Sequence, residues 1–221
     1  MSRLSVPTYQ VSDAARYADI STSSIRNWQK LAAIAPREHG DLLSYLQLIE
    51  IAVIAAMRKT GVPFSAIREA KNYLSRTLNS DHPFALHCFK TDGKKILMDL
   101  SEFDVREKEK LIDISHNGQL GWNSILKDKL QEFEYHKETG IVQRWHIQGP
   151  HSPIVIDPQI SFGAPAVKGI PTWSIKARLD AGESIAEIAD DFSIETSDVS
   201  QALRFEGVEL KNEARGTAWS H

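Results

Sequence analysis

The stretch that decides the fold covers Tyr9–Lys30 and reads YQVSDAARYADISTSSIRNWQK. Ser12 is a good N-cap residue ahead of a short alanine-rich helix, and Ser21 can cap a second helix. Between the two helices, Asp19 tolerates the left-handed backbone that a tight turn requires. The small side chain of Ala15 lets the second helix cross close to the first. This order of signals predicts a helix-turn-helix.

The second helix of this motif has an apolar side and a polar side. Its buried side would use Ile25 and Trp28, which are three residues apart. Arg and Lys can reach guanine edges or phosphates, Asn can pair with adenine, and hydroxyl groups can reach phosphate oxygens. The alternative is a plain helical hairpin with a solvated polar face. On the open side, the predicted DNA contacts are Thr22, Ser23, Arg26, Asn27 and Lys30.

The helical pattern continues to about residue 76. Apolar residues recur at three- and four-residue spacing from Leu48 to Met57, up to a break at Gly61-Val62-Pro63. A further helix is predicted from Phe64, because Ile67, Ala70 and Leu74 then share one face.

Residues 9–70 resemble the N-terminal domain of MerR-type regulators, through the helix-turn-helix and the later passage from Ala56 to Ile67. The resemblance implies a winged helix-turn-helix that binds operator DNA. A wing follows the recognition helix in that family, so the resemblance implies DNA-backbone contacts by Arg37 and His39. This chain has Asp41-Leu42-Leu43 where the family usually has a Tyr-Arg pair. No effector-binding cysteines follow, so metal sensing is not expected.

The net charge of −3 conceals an asymmetry along the chain. Residues 1–76 have ten Lys or Arg and six Asp or Glu, a net of +4, whereas residues 77–149 have a net of −2 and residues 150–221 a net of −5. A basic N-terminal part suits a polyanion, and an acidic C-terminal part suits a basic protein surface. The single Cys88 excludes an internal disulfide and fits a reducing cytoplasm. Since no apolar run of about 18 residues occurs, no membrane span is expected.

The middle of the chain predicts mixed structure and a domain boundary. Short apolar runs between Phe84 and Leu100 flank Asp92-Gly93, which is a good hairpin signal. A helix is predicted over Trp122–His136 and a strand over Ile141–Ile147, and the Gly- and Pro-containing segment Ile147–Pro153 predicts a linker. We therefore predict three parts: a MerR-like DNA-binding domain over 1–76, an α+β region suited to dimerisation over 77–149, and an acidic domain over 150–221.

The acidic domain starts with short apolar runs after Ile154, which predict a small hairpin or arm. Ser184 with Glu187 predicts a capping box, and Thr196 is the expected N-cap of the last helix. The last two helices again have the spacing of a helix-turn-helix. The three helices are predicted near Trp173–Ala181, Ile185–Phe192 and Ser197–Phe205.

Acidic residues argue that this second motif does not read DNA. Phosphates would repel Asp198 at the start of the last helix, so a protein-contact or dimerisation role is favoured. A solvated acidic face is the alternative. The other carboxylates on or beside the middle helix are Glu183, Glu187, Asp190 and Asp191.

This C-terminal region resembles the small domain-of-unknown-function family 433, through Asp157-Pro158, Gly163-Ala164-Pro165 and Lys168-Gly169. A MerR-like domain joined to such a module is similar to the VapB-type antitoxins. That resemblance implies a PIN-like ribonuclease toxin as the partner. In the polar tail, Lys211 and Arg215 could pair with a carboxylate-lined magnesium site and Trp219 could anchor in a pocket, so these three are the predicted toxin contacts.

The sequence offers no set of residues typical of an enzyme. Asp190 and Asp191 would diverge by about 100° on a helix, and His87 and Cys88 would point to opposite faces of a strand. Nucleophile-elbow, phosphate-loop and dinucleotide motifs are absent from the sequence. We therefore expect no catalytic residues, no metal and no cofactor.

The expected fold class is mainly α with short β hairpins: an N-terminal winged helix-turn-helix and a small C-terminal three-helix domain. Two functions stay open. One is an antitoxin that represses its own promoter and neutralises a ribonuclease, and the other is a stand-alone MerR-like transcriptional regulator with no toxin partner. Both imply a cytoplasmic homodimer on double-stranded operator DNA, because operators are usually palindromic.

Overall fold

The computed structural model describes residues 3–31, 34, 42–86 and 128–210. The chain divides into two compact units, unit 1 over Met1–Ser152 and unit 2 over Pro153–His221. In unit 1 the described helices are α1 Val11–Ala18, α2 Thr22–Lys30, α3 Tyr45–Lys59 and α4 Phe64–Leu78. Its described strands are β1 Tyr9–Gln10, β2 Leu42–Leu43, β3 Phe133–Tyr135 and β4 Val142–His146.

The core of unit 1 is built around α3. Ser44 caps this helix: the Gln47 backbone N–H donates to Ser44 Oγ at 3.3 Å, and the Ser44 N–H donates to Gln47 Oε1 at 2.8 Å. Every residue from Tyr45 to Met57 is buried. The helix ends before Gly61, which has a φ of 87° that favours glycine. The helices predicted on either side of this break are confirmed.

Two antiparallel ladders complete the described part of unit 1. In the first, β1 pairs with β2 and places Tyr9 opposite Leu43. In the second, β3 pairs with β4 and places Phe133 opposite Trp145, whose ring centroids are 5.8 Å apart. The strand predicted at 141–147 is confirmed as β4.

The helix predicted up to His136 is wrong in its C-terminal part. Residues 128–131 are helical, but 133–135 form β3, because pairing with β4 and burial of Phe133 outweigh the local helical pattern. At the start of the apolar run that begins at Phe84, the described residues end a 3-10 helix, Pro83–Ala85, and form one β-bridge from Leu86 to Ile141. The hairpin expected around residues 91–94 lies outside the described residues.

In unit 2 the described residues, 153–210, form three strands followed by three helices, which are β5 Ile154–Ile156, β6 Ala166–Val167, β7 Ile170–Pro171, α5 Thr172–Asp180, α6 Ile185–Phe192 and α7 Thr196–Phe205. The strands are antiparallel, with Ile154 opposite Val167 and Val167 opposite Ile170. The three predicted helices are present, and the expectation of a mainly α chain is confirmed in part by the described residues. The β content exceeds the short hairpin expected here, since three consecutive strands pair. The buried core of unit 2 comprises Val167, Ile175, Ile188, Ala189, Val199, Ala202 and Leu203.

Helix caps are partly as predicted. The capping box of Ser184 with Glu187 is confirmed at the start of α6. Ser12 and Thr196 are not N-caps, because both already lie within a helix. The extended backbone that an N-cap requires belongs to Gln10 before α1 and to Glu195 before α7. No helix in the described ranges is long and apolar enough to cross a bilayer.

Candidate nucleic-acid interface

Helices α1 and α2 are joined by a tight, locally determined turn. Asp19 ends α1 with a left-handed backbone at φ 53° and ψ 55°. The Ile20 N–H then donates to the Ala15 carbonyl at 3.0 Å, which closes the helix end. Ser21 begins the next helix by accepting from the Ser24 N–H at 3.1 Å. The structure confirms Asp19 as the turn residue and Ser21 as the N-cap of α2.

The buried side of α2 fixes its position in unit 1. Ile25 and Trp28 are buried, as the spacing predicted. The Trp28 ring lies 6.3 Å from the ring of Phe64, the first residue of α4, measured between centroids. Because an indole is large and has few rotamers, this contact limits rotation of α2 about its own axis.

The opposite side of α2 faces water. Ser23, Arg26, Asn27 and Lys30 are exposed, and Thr22 is half-buried. Within the described residues, no carboxylate lies close enough to pair with Arg26 or Lys30. Both cations are therefore available to bind an external anion. Two further predicted contacts, Arg37 and His39, lie outside the described residues.

A lysine that the sequence did not single out reaches the turn. Lys59 Nζ, at the end of α3, lies 2.7 Å from Asp19 Oδ2, and this hydrogen bond and its charge lower the pKa of Asp19. The Asp19 side chain is 90% exposed, so the pair is at the surface beside the turn. The pair neutralises the carboxylate of the turn that precedes α2. Its partners are far apart in the chain, and local sequence patterns therefore gave no signal for it.

Unit 2 repeats the same connection between α6 and α7. Ser193 ends α6 with φ 54° and ψ 43°, and the Ile194 N–H donates to the Ala189 carbonyl at 3.0 Å. An eight-residue helix, a left-handed residue, an isoleucine and an N-cap residue thus occur in both units in the same order. The spacing of a helix-turn-helix predicted for unit 2 is present.

The expectation that Asp198 would repel phosphates is wrong in its geometry. Asp198 is buried rather than facing outward, and its carboxylate accepts from the Glu195 N–H at 3.4 Å. Lys168 Nζ lies 2.8 Å from Asp198 Oδ2, and this hydrogen bond raises the pKa of Lys168. Asp198 is therefore the capping-box partner of Glu195 at the start of α7, and it pairs with a cation instead of facing outward.

The acidic surface of unit 2 is partly neutralised from within. Arg178 Nε donates to Glu183 Oε1 at 2.9 Å, and the same guanidinium also contacts Asp191. These hydrogen bonds raise the pKa of Arg178. Glu187 is occupied by its capping bonds to Ser184, which lower the pKa of this carboxyl. Of the four predicted surface carboxylates, Asp190 has no partner among the described residues.

The predicted toxin contacts Lys211, Arg215 and Trp219 lie outside the described residues. Val208 and Leu210, just before them, pack against the core of unit 2. Among the residues that the structure describes, no group of three His, Cys, Asp or Glu side chains could hold a metal ion.

Comparisons with known proteins give one match within the C-terminal unit and two matches over most of the chain. A family model described as "Protein of unknown function (DUF433)" matches residues 154–205, the part from β5 to α7. A Mycobacterium tuberculosis protein named "Putative antitoxin VapB45" is 23% identical over 91% of this chain and 94% of its own length. The crystal structure of Rv2018 from the same organism has a TM-score of 0.75 and 22% identity, over 91% of this chain and 99% of that chain. The structural likeness shows a common fold.

Proposed function

We propose that this chain is a DNA-binding antitoxin that represses its own operator and neutralises a PIN-like ribonuclease. The observation that carries the DNA-binding part is α2, whose buried side is fixed by Ile25 and Trp28 while Arg26, Asn27 and Lys30 face water. The antitoxin part is supported by the similarity of 91% of the chain to a mycobacterial protein named as an antitoxin. The protein acts in the cytoplasm and has no catalytic role of its own.

The exposed side of α2 suits the major groove. A B-DNA major groove admits one α-helix, and Arg26 can donate two hydrogen bonds to a guanine edge while Asn27 can pair with adenine. Ser23 and Thr22, in the first turn, can donate to phosphate oxygens where backbone N–H groups also point outward. Lys30, at the other end, suits a phosphate as a point charge.

Arg37 and His39 add contacts to the DNA backbone in this proposal. They belong to the segment between Lys30, the last residue of α2, and Leu42, the first residue of β2. Because β2 pairs with β1 immediately before α1, both ends of that segment are anchored to the helix-turn-helix. A homodimer would place two α2 helices one DNA turn apart, about 34 Å, on a palindromic operator.

The C-terminal tail supplies part of the toxin contact in this proposal. It follows Leu210 in the sequence and contains Lys211, Arg215 and Trp219. PIN-like ribonucleases bind magnesium with carboxylates, so a cation from the tail can pair with that lining. Trp219 can then fill a neighbouring apolar pocket.

Operator binding tests the DNA-reading part. A gel shift of the full chain on the promoter of its own gene is measured at several salt concentrations. Arg26→Ala should weaken binding by about 5- to 150-fold and relax base specificity. Lys30→Ala should reduce the slope of log affinity against log salt by about 0.9, which corresponds to one lost phosphate contact.

Arg68→Ala is the matched control for the loss of a positive charge, because Arg68 is exposed on α4 rather than α2. This variant should bind the operator like the wild type. Unchanged binding by the Arg26→Ala, Lys30→Ala double variant would reject α2 as the reading helix.

Co-expression tests the antitoxin part. The full chain is expressed with the product of the reading frame next to its gene, and growth and complex formation are measured. We expect rescue by the wild type and weaker rescue by a chain that ends at Leu210. Truncation further back is unsuitable, because it would remove Val208 and Leu210 from the core of unit 2. Operator binding without any neutralisation would favour a stand-alone regulator.

A further inference from the structure

Unit 2 contains a turn with three consecutive left-handed residues. Ser161, Phe162 and Gly163 have φ values of 47°, 56° and 79°. Glycine adopts such a backbone freely, but serine and phenylalanine do so against steric strain, and strain of this kind is common at binding sites. The turn therefore calls for an explanation beyond reversal of the chain.

Hydrogen bonds hold this turn in one conformation. The buried Asp157 accepts from the Gln159 N–H at 2.8 Å through its carboxylate and from the Ile160 N–H at 2.9 Å through its carbonyl. The Gly163 N–H then donates to the Ile160 carbonyl at 2.8 Å. The strained backbone is therefore held by hydrogen bonds before the turn, at Asp157, and at its end, at Gly163.

The turn presents an aromatic ring to water. Phe162 is 87% exposed, Ile160 is 36% exposed, and Trp173 in the first turn of α5 is 60% exposed. The Thr172 N–H donates to the Pro165 carbonyl at 2.9 Å, so the start of α5 lies beside Pro165, two residues after the turn. We call Ile160, Phe162 and Trp173 the Phe162 face.

The core of unit 2 does not use this face, since its buried cluster is formed by other residues. Rigid aromatics of this kind are typical anchors of protein interfaces. A strained turn that exposes a phenylalanine is best explained if a partner covers the ring.

The net charge of unit 2 indicates whether the partner is acidic or basic. Residues 153–210 contain four Lys or Arg and ten Asp or Glu, a net of −6. A second copy of unit 2 would bring two acidic surfaces together, whereas a basic protein surface would be attracted. We infer that the Phe162 face docks the toxin, through an apolar pocket with a basic rim. This inference rests on the proposed antitoxin function and adds a second contact to the tail.

The test separates binding from folding. The full chain is co-expressed with the product of the neighbouring reading frame, and affinity of the complex and thermal unfolding of the chain are measured. Phe162→Gly relieves the strained backbone and removes the ring, so it should unfold no earlier than the wild type yet bind about 30-fold more weakly. Trp173→Ser should also weaken the complex.

Ser193→Gly is the matched control. Ser193 is exposed and has a φ of 54°, so this substitution relieves the same backbone strain in unit 2 without changing the Phe162 face. It should leave the affinity unchanged.

The outcomes distinguish the inference from the proposed function. If the wild type binds and Phe162→Gly binds equally well, the docking face is wrong and the antitoxin function stands. If the wild type itself neither binds nor neutralises the neighbouring product, the antitoxin function fails. A smaller mass of Phe162→Gly alone, in light scattering, would assign the face to a second copy and overturn the inference.

Discussion

Replacing Lys71 by methionine should severely destabilise unit 1. Lys71 Nζ lies 2.8 Å from Glu50 Oε2, and both side chains are buried, with Glu50 0% exposed. His82 Nδ1 lies 3.2 Å from the same oxygen. The other oxygen of Glu50, Oε1, has no hydrogen-bond partner among the residues that the structure describes. Methionine fills nearly the same volume as lysine, so the main loss is the charge.

The magnitude follows from what the substitution leaves behind. Removing one partner of a buried ion pair costs about 3–5 kcal/mol, since the other charge stays buried without compensation. His82 is partly exposed and can still bond to Glu50, so we expect a cost near the lower end, about 3 kcal/mol. Glu50→Leu combined with Lys71→Met removes both charges. The free energy of unfolding of this double variant should lie within about 1 kcal/mol of the wild-type value.

Urea unfolding at pH 7, followed by circular dichroism, measures these free energies. Arg68→Met is the matched control on the same helix, because its side chain is exposed and should change stability by less than about 0.5 kcal/mol. A loss below about 1 kcal/mol for Lys71→Met would refute the reasoning. So would a double variant as unstable as the single one, since the penalty would then not come from an unpaired carboxylate.

Two further predictions concern a helix cap and an acid-sensitive ion pair. Ser184→Ala should destabilise unit 2 by about 1 kcal/mol in thermal unfolding, whereas Thr196→Ala should be nearly neutral, because Ser184 caps α6 and Thr196 is already inside α7. A larger loss for Thr196→Ala would contradict the assigned caps. Hydrogen bonding to His146 lowers the pKa of Glu134, so its contribution to stability is present above the ordinary glutamate pKa of about 4.3 and is lost as the pH falls through the lowered value. Glu134→Gln should therefore lose less stability than the wild type on acidification from pH 5 to 3, and parallel losses would count against the pair.

Local signals were sufficient to predict helices α1 and α2 and the turn between them. Ser21, Asp19 and the pair Ile25 and Trp28 act within a few residues of the turn, so their side-chain chemistry alone determines cap, turn and buried face. The same holds for the capping box of Ser184 with Glu187. Such features depend little on the rest of the fold and are therefore predictable from sequence.

Features that depend on distant partners were missed or misassigned. Residues 133–135 have a helical pattern but form β3, because Phe133 gains a cross-strand partner in Trp145. Lys59 reaches Asp19 across the α1–α3 packing, and Lys168 reaches Asp198 from the turn between β6 and β7. These pairings exist only once the fold has formed, so no residue-spacing rule could find them.

The α1–α2 and α6–α7 connections share one backbone geometry but carry different charges. When their left-handed residues are matched, Arg26 and Lys30 of α2 correspond to Ser200 and Arg204 of α7, so α7 retains one of the two cations. The helix before α7 adds further negative charge to a unit that is already acidic. Because affinity for DNA depends on neutralised phosphates rather than on helix geometry, the proposed function assigns DNA to α2 and a basic protein surface to unit 2. We therefore expect unit 2 to bind DNA weakly even though Asp198 itself is paired with Lys168, because the net charge of the whole unit repels phosphates.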